Sequence, residues 1–257
     1  MTRLLSVLLL LLLTQPGWCK PSNLDRILET GVLLVGTTAD YEPFTYRERG
    51  ELKGFDVEIA RLIAEELNVK VSFVETSWAE LVPDLQQSRY HLAVGGITRT
   101  LSRQTQASFT EPVLLIGKCP LVRREDQNRF LTLESIDQPE VTVACNPGGT
   151  NEKYVRTHIR KAEILLVDDN LAIPSLLAGG RADVMLTDNV EAVQAARKDH
   201  RLVAISAAQP WTTESLGLLT TRDDQAFLNW LNLFLSQAEA DGRLPALRKK
   251  YGLDPTD

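Results

Sequence analysis

The chain contains few of the residues that carry metal, redox or covalent chemistry. Three cysteines and three histidines stand among 257 residues. His91, His158 and His200 lack the short sequence spacings that metal ligands show. No Ser/His/Asp or Cys/His set is evident either. The composition therefore argues against a metal site and against covalent hydrolytic catalysis.

An excess of positive charge is also lacking. The formal net charge is −6, and basic residues are interspersed with acidic ones. No basic patch is offered to a phosphate backbone, so nucleic acid is not an expected partner. Hydrophobic residues make up 44% and charged residues 24%, which is typical of a folded soluble protein. The length suffices for one large domain or for two domains of roughly 100 to 120 residues.

The one long apolar run lies at the start of the chain. Residues 8–13 are all leucine, Arg3 precedes them, and Gly17-Trp18-Cys19 follows. A positive start, an apolar core and small residues in a cleavage triplet predict a signal peptide over residues 1–19. Acylation of Cys19 is the alternative, although Trp18 stands where a small residue is needed. The run is too short to span a bilayer comfortably, so we expect a periplasmic protein without stable membrane insertion.

Cys119 and Cys145 remain after removal of residues 1–19. In an oxidising compartment two cysteines can form a disulfide. Two inert buried thiols are the alternative, and the sequence spacing does not decide between them.

From residue 24 onward, short apolar runs alternate with helical periods, which is typical of α/β architecture. The first unit has predicted strands at 31–37, 69–74 and 92–94, and predicted helices at 55–67 and 78–86. The second has strands at 141–145, 164–167 and 184–186, and helices at 150–159 and 171–178. Mostly extended stretches at 112–124 and 209–222 join the units, and one or two helices at 223–251 return to the first.

Two α/β units joined by two crossings predict two lobes and a hinge that the chain passes twice. The first lobe is expected to contain residues 22–112 and 212–257, and the second residues 113–211. One large doubly wound sheet is the alternative. Ligands bind beyond the carboxyl ends of strands in open α/β sheets, so we expect a ligand cleft between the lobes.

The segment after the third strand has the residues of a carboxylate clamp. Gly96 allows the backbone to approach a ligand, Thr98 offers a hydroxyl donor, and Arg103 can grip a carboxylate with two hydrogen bonds. The alternative is a solvated turn with surface arginines. The segment lies at the carboxyl end of the third strand, which favours a binding role for Arg103 and, less strongly, for Arg99.

A glycine-rich turn, Asn-Pro-Gly-Gly-Thr-Asn-Glu-Lys at residues 146–153, precedes a predicted helix. Such a turn presents free N–H groups to an anion. Glu152 is either a favourable carboxylate at the helix start or a general acid, which requires a raised pKa. The helix N-terminus and Lys153 act to lower that pKa, and burial in a closed cleft acts to raise it.

Two aromatic and two acidic residues complete the candidate site. Trp78 and Phe44 are expected to form apolar walls for a ring-bearing ligand or to belong to the core. Asp40 begins the motif that contains Phe44. Asp188 either meets a ligand amino group or caps a helix that starts near residue 190.

These segments resemble the polar amino-acid-binding receptors of ABC transporters. The matching segments are residues 54–57, 96–103, 109–112 and 182–188, which read GFDV, GITRTLSR, FTEP and ADVMLTD. The resemblance spans nearly all of the mature chain and implies the two-lobed fold of periplasmic binding proteins, with a small carboxylate as ligand. An ABC permease is an expected partner only if the chain is such a receptor.

More narrowly, the chain resembles the cyclohexadienyl dehydratases, which are enzymes on this fold. The matching segments are residues 24–29, 76–78, 136–139, 146–153 and 187–188. The resemblance implies that prephenate is converted to phenylpyruvate, or arogenate to phenylalanine, without a cofactor. It implies Glu152 as proton donor, Arg103 as carboxylate ligand, Trp78 and Thr98 as pocket walls, and further substrate contacts from Thr150, Asn151 and Lys153.

Two segments depart from the dehydratase pattern. Residues 95–100 read GGITRT where we expect SGISIN, and residues 211–214 read WTTE in place of a segment that contains phenylalanine. Both lie near the cleft or hinge and bear on substrate identity. A receptor that releases its ligand unchanged therefore stays the alternative to an enzyme, and a sensor module is a third possibility.

Overall fold

The computed structural model describes residues 21–253, so the predicted signal peptide lies outside the described residues. Ten α-helices and fifteen strands form within that range. The helices are α1 (Asn23–Thr30), α2 (Phe55–Glu66), α3 (Leu81–Gln86), α4 (Leu101–Gln104), α5 (Leu133–Ile136), α6 (Thr150–His158), α7 (Ile173–Ala178), α8 (Asn189–Lys198), α9 (Gln225–Ala240) and α10 (Arg243–Tyr251). The strands are β1 (Val32–Thr37), β2 (Asp40–Tyr41), β3 (Thr45–Glu48), β4 (Glu51–Lys53), β5 (Lys70–Glu75), β6 (Leu92–Ala93), β7 (Ala107–Phe109), β8 (Leu114–Ile116), β9 (Lys118–Arg123), β10 (Thr142–Cys145), β11 (Glu163–Leu166), β12 (Val184–Asp188), β13 (Leu202–Ala204), β14 (Glu214–Leu216) and β15 (Leu219–Thr221).

Two five-stranded sheets define two lobes. The sheet of the first lobe has the order β5-β1-β6-β15-β7, and that of the second has the order β11-β10-β12-β9-β13. In each sheet three parallel strands are followed by an antiparallel fourth strand. The α/β prediction with two lobes is confirmed, and the alternative of a single large sheet is wrong.

The first lobe is held together by an amphipathic helix and by the C-terminal helices. On α2 the apolar side chains of Phe55, Ile59 and Ile63 are fully buried in the core of this lobe. Burial of one such side chain contributes about 1.5–3 kcal/mol. Phe227 and Leu231 of α9 belong to the same core cluster, so α9 shares its core with α2 and the first sheet.

Two extended crossings connect the lobes. β8 and β14 pair antiparallel, with Ile116 opposite Glu214 and Leu114 opposite Leu216. β8 leads directly into β9, the fourth strand of the second sheet. The hinge therefore consists of two neighbouring strands that the chain passes in opposite directions.

The cysteines are two buried free thiols. Cys119 lies on β9 and Cys145 on β10, and β12 lies between those two strands. Strands that are two positions apart are separated by roughly 9–10 Å, which exceeds the span of a disulfide. Burial raises the pKa of Cys119 to about 12 and that of Cys145 to about 11, so both side chains are inert thiols. In the described residues no helix has the length and apolar character that a membrane crossing requires.

Candidate active site

The strand ends of the two lobes meet at a small cavity of about 20 Å³. The first lobe supplies backbone and side chains that follow β1, β5 and β6, and the second lobe supplies residues that follow β10 and β12. The residues that line the cavity are Tyr41, Trp78, Gly96, Thr98, Asn146, Gly149, Thr150, Asn151, Asn170, Asp188 and Glu191. Ligand pockets commonly measure about 300–1,000 Å³, so the closed lobes leave far less room here than a ligand needs.

Several polar contacts join the lobes around this cavity. The Thr98 and Thr150 hydroxyl oxygens lie 3.2 Å apart. The Tyr41 hydroxyl donates to Asp188, and the Asn170 amide donates to the backbone oxygen of Asp40 at 3.1 Å. These contacts require the two lobes to be closed, and a ligand enters only when they separate.

Arg103 brings a positive charge to the first-lobe side of the cavity. Thr100 caps the short helix α4, and the Arg103 guanidinium donates to the backbone oxygen of Thr98 at 3.0 Å. It lies 6.0 Å from the centroid of the Trp78 ring. Among the described residues it forms no ion pair with a carboxylate, so it is free to bind the carboxylate of a ligand.

Trp78 forms the aromatic wall. The helix predicted at 78–86 begins only at Leu81, because the Ser77 hydroxyl accepts from the Glu80 N–H and holds the intervening residues in a turn. In that turn the Trp78 indole N–H lies 3.1 and 3.2 Å from the two carboxylate oxygens of Asp40. The ring faces Gly149 of the other lobe, where an added Cβ would lie 3.9 Å away.

The turn after β6 is shaped by its glycines. Gly96 has φ +66°, and a Cβ there would lie 2.6 Å from the Tyr41 ring and 2.7 Å from Phe44. The backbone N–H groups of Gly95 and Gly96 both donate to Asp56 at 2.8 Å. Phe44 is fully buried beneath this turn, so it supports the cavity wall and does not line the cavity.

A buried ion pair lies at the second-lobe side. Lys118, the first residue of β9, has a side chain that is 1% exposed, and its Nζ lies 2.5 Å from Asp188 Oδ1. The same Nζ donates to the Asn151 side-chain oxygen at 2.7 Å and to the Thr150 hydroxyl at 3.3 Å. Asp188 makes no capping bond to α8.

A second buried carboxyl group, Glu191, lies one helical turn beyond Asp188. It accepts hydrogen bonds from the Thr187 hydroxyl and from the Asn170 amide. Burial raises the pKa of Glu191 to about 8, so this carboxyl group is largely protonated at neutral pH. The side-chain oxygens of Asn146 and Asn170 are buried without a partner among the described residues and are available to accept from a ligand hydroxyl.

Glu152 and Lys153 lie on the outer side of the glycine-rich turn. Glu152 Oε2 accepts from the Gly148 N–H at 2.7 Å, and Oε1 accepts from Arg156 at 2.7 Å. These donors hold the pKa of Glu152 below its ordinary value. Lys153 is exposed. Neither side chain lines the cavity, although Thr150 and Asn151 of the same helical turn do.

The structure therefore places six of the candidate residues at the cavity surface, namely Trp78, Gly96, Thr98, Thr150, Asn151 and Asp188. Arg103 and Asp40 contact Trp78 at its margin. Sequence reasoning missed Lys118 and assigned no role to Glu191. A lone charge in the apolar run Ile-Gly-Lys-Cys-Pro-Leu-Val at residues 116–122 was the available signal for Lys118. In the described residues no group of His, Cys, Asp and Glu side chains is arranged to hold a metal ion.

Comparisons with known proteins agree on the fold and point to two functions. Residues 33–254 match the family model of the bacterial extracellular solute-binding proteins, family 3. A cyclohexadienyl dehydratase of Pseudomonas aeruginosa is 45% identical over 224 residues, which cover 87% of this chain and 83% of that protein. The L-cystine-binding protein TcyJ of Escherichia coli is 27% identical, with 91% of this chain and 87% of that protein covered.

Two solved structures likewise point to a binding protein and to a dehydratase. An ancestral amino acid-binding protein, described as a precursor of cyclohexadienyl dehydratase, is 34% identical and has a TM-score of 0.84, covering 90% of this chain and 99% of that chain. A variant of an ancestral cyclohexadienyl dehydratase is 45% identical and has a TM-score of 0.57, covering 91% of this chain and 97% of that chain.

Proposed function

This chain belongs to the bacterial extracellular solute-binding proteins of family 3, and on that premise we propose that it is a cyclohexadienyl dehydratase that acts in the periplasm. It is a carbon–oxygen lyase built on a binding-protein fold. Its substrates are prephenate, arogenate or both. The observation that carries the proposal on this chain's own structure is the closed cavity with an unpaired guanidinium, Arg103, beside an aromatic wall, Trp78.

Substrate binding uses both lobes. Arg103 holds a substrate carboxylate with charge-assisted hydrogen bonds, and Trp78 packs against the ring. Gly96, Thr98, Thr150 and Asn151 close around the remaining polar groups. Lobe closure excludes water, which strengthens each electrostatic contact in the cavity. It also holds the ring hydroxyl near the glycine-rich turn.

The reaction needs one proton and no redox step. The bond between the ring carbon and its carboxylate breaks and releases CO₂, and that electron pair forms the new ring double bond. The bond to the ring hydroxyl breaks at the same time, and a proton from the general acid makes the leaving group water. Aromatisation of the ring supplies the driving force, so positioning and proton donation suffice.

Glu152 is the proposed proton donor, and it must move to act. Its carboxylate faces Arg156 and the Gly148 N–H. Thr150 and Asn151 line the cavity from the same helical turn, so the Glu152 backbone already lies beside it. We infer that the side chain turns toward the substrate hydroxyl, where burial favours its protonated form.

Glu191 is the alternative donor, because it lines the cavity and is largely protonated at neutral pH. Its two oxygens accept hydrogen bonds from Asn170 and Thr187, and both bonds stabilise the carboxylate that proton donation leaves behind. A comparison of two variants separates the roles.

The test is turnover of prephenate to phenylpyruvate by the purified mature protein, followed by the absorbance of the product enolate in alkali. We expect Glu152→Gln to lower kcat by about 100- to 10,000-fold, because general acid catalysis contributes about that much. Glu191→Gln keeps both hydrogen-bond partners and is expected to retain most of the activity. Glu65→Gln, an exposed glutamate of α2, is the control.

A reversed result, with Glu191→Gln inactive and Glu152→Gln active, would assign the acid to Glu191. Saturable binding of an amino acid without turnover of either substrate by the wild-type protein would contradict the enzyme and support a receptor.

A further inference from the structure

Lys118 occupies a position that controls the charge of the substrate cavity. It begins β9 directly after the hinge strand β8, and its side chain is buried at the cavity wall. The ammonium group has three donors, and Asp188, Asn151 and Thr150 each accept one of them. The cation is therefore fully satisfied by protein groups, which fixes its position.

The consequence for Asp188 is that both of its oxygens are engaged. Oδ1 faces Lys118 at 2.5 Å, and Oδ2 accepts from the Tyr41 hydroxyl of the other lobe. The Asp188 carboxylate, one of whose two predicted roles was to meet a ligand amino group, therefore has its negative charge neutralised by a residue of the protein. An ammonium group placed beside Asp188 would also lie beside the Lys118 ammonium, which repels it.

The remaining carboxyl groups near the cavity do not replace Asp188. Glu191 accepts from Asn170 and Thr187, and its raised pKa leaves it largely uncharged at neutral pH. Asp40 accepts from the Trp78 indole and is not among the residues that line the cavity. An ammonium group buried there would lack an ionised partner, which is costly.

We propose that Lys118 is a specificity-determining residue: by pairing with Asp188 it makes the cavity select a 2-keto acid over the corresponding 2-amino acid. A keto oxygen accepts hydrogen bonds and carries no positive charge, so it tolerates a neighbouring ammonium that an amino group does not. This inference rests on the proposed dehydratase function, for which it names prephenate as the preferred substrate over arogenate.

The test compares kcat/KM for prephenate and arogenate in the wild-type protein and in three variants. The variants are Lys118→Met, Asp188→Asn and the double variant. We expect at least a tenfold preference for prephenate in the wild type. Lys118→Met frees Asp188 and should shift the prephenate-to-arogenate ratio at least tenfold toward arogenate, whereas the double variant should not show that shift, because the freed carboxylate is gone.

A binding measurement keeps the inference separate from catalysis. Calorimetric titration with phenylpyruvate and phenylalanine, a keto acid and an amino acid with the same ring, gives the same comparison without turnover. If the wild type converts neither substrate but binds phenylpyruvate more tightly, and Lys118→Met reverses the order, the dehydratase proposal fails and the specificity inference stands. An unchanged ratio in Lys118→Met, or a wild-type preference for the amino compounds, overturns the inference. Lys118→Gln, which keeps a donor toward Asp188 without the charge, replaces Lys118→Met if that variant does not fold.

Discussion

At Glu152, two neighbours decide whether the carboxyl group is available as an acid. The Gly148 N–H and the Arg156 side chain both stabilise its ionised form. A general acid works only while it is protonated, and the protonated fraction falls as pH rises through its pKa. If Glu152 is the general acid, as we propose, ligand binding must break this pairing.

Replacement of Arg156 should extend activity to higher pH. In Arg156→Leu the Glu152 carboxylate loses one of the two donors that lower its pKa, so its pKa rises and the acid stays protonated to a higher pH. The high-pH limb of kcat/KM for prephenate is expected to move upward relative to the wild type. The measurement is the full pH profile for both proteins.

Arg160→Leu is the matched control, since Arg160 donates to backbone oxygens of the same helix and not to Glu152. Coincident profiles for Arg156→Leu and the wild type would contradict the prediction. Because the folded-state pKa of Glu152 is lowered, the pair stabilises the fold above the unfolded pKa and loses that effect as pH falls through the folded value. Any loss of stability in Arg156→Leu should therefore disappear in acid.

The sequence predicted the two opposing influences on Glu152, but their outcome depended on Arg156, four residues later. Lys118 and Asp188 stand 70 positions apart in sequence, and no local pattern joins them. The two possible roles weighed for Asp188, a helix cap or a partner for an amino group, did not include the ion pair that the fold forms. Local chemistry was predictable from sequence, whereas long-range pairing of charges was not.

At the scale of elements, the turn before α6 lies directly against the first lobe when the lobes are closed. Gly148 has φ +82°, and a Cβ there would lie 2.9 Å from the backbone nitrogen of Ala79 in the first lobe. The glycine is needed both for its own conformation and for the approach of the opposite lobe.

Gly148→Ala is expected to weaken closure more than it weakens the fold. Overpacking of this kind costs about 1–3 kcal/mol, so KM for prephenate should rise roughly 5- to 100-fold. The control is Gly180→Ala, whose φ is +69° but whose added Cβ meets nothing within 4 Å. Both variants carry the backbone strain, and only Gly148→Ala blocks closure. Equal KM values in the two variants would refute the steric explanation.

The elements themselves were predictable where apolar runs were continuous. β1, β5, β10, α2 and α6 begin and end within one or two residues of the predicted bounds. The hairpins of β2, β3 and β4 were missed, because these strands are short and largely polar, and only the turn at Arg49 and Gly50, both with positive φ, marks them. These strands place Tyr41 at the cavity and Asp40 at its margin, so part of the site lay in the segment with the weakest pattern.

At the scale of the whole molecule, closure is held by cross-lobe contacts of very different burial. Lys198 of α8 pairs with Glu42 of the first lobe; the Lys198 side chain is 60% exposed and the Glu42 side chain 14%. The Tyr41 hydroxyl meets Asp188 in the buried interior. Exposed ion pairs contribute about 0–1 kcal/mol and are screened by salt, whereas loss of a buried hydrogen bond to a charged group costs about 1.5–3 kcal/mol.

These values predict unequal effects on ligand affinity. Glu42→Gln should weaken phenylpyruvate binding no more than about fivefold, and the difference from wild type should shrink at high salt. Tyr41→Phe should weaken binding by about tenfold or more, with little dependence on salt. Titration calorimetry at low and high ionic strength measures both. A larger effect of Glu42→Gln than of Tyr41→Phe would show that closure depends on the Lys198–Glu42 ion pair and not on the buried Tyr41–Asp188 hydrogen bond.

The strand order of the first sheet also bears on how the chain acquires its structure during synthesis. β15 lies between β6 and β7 but leaves the ribosome after every strand of the second sheet. The second lobe is continuous in sequence and can assemble as soon as residue 204 has emerged, while the first lobe waits with an open gap in its sheet. The lobe that is begun first is therefore completed last, and a truncation before residue 219 should leave its unpaired strand edges exposed to aggregation.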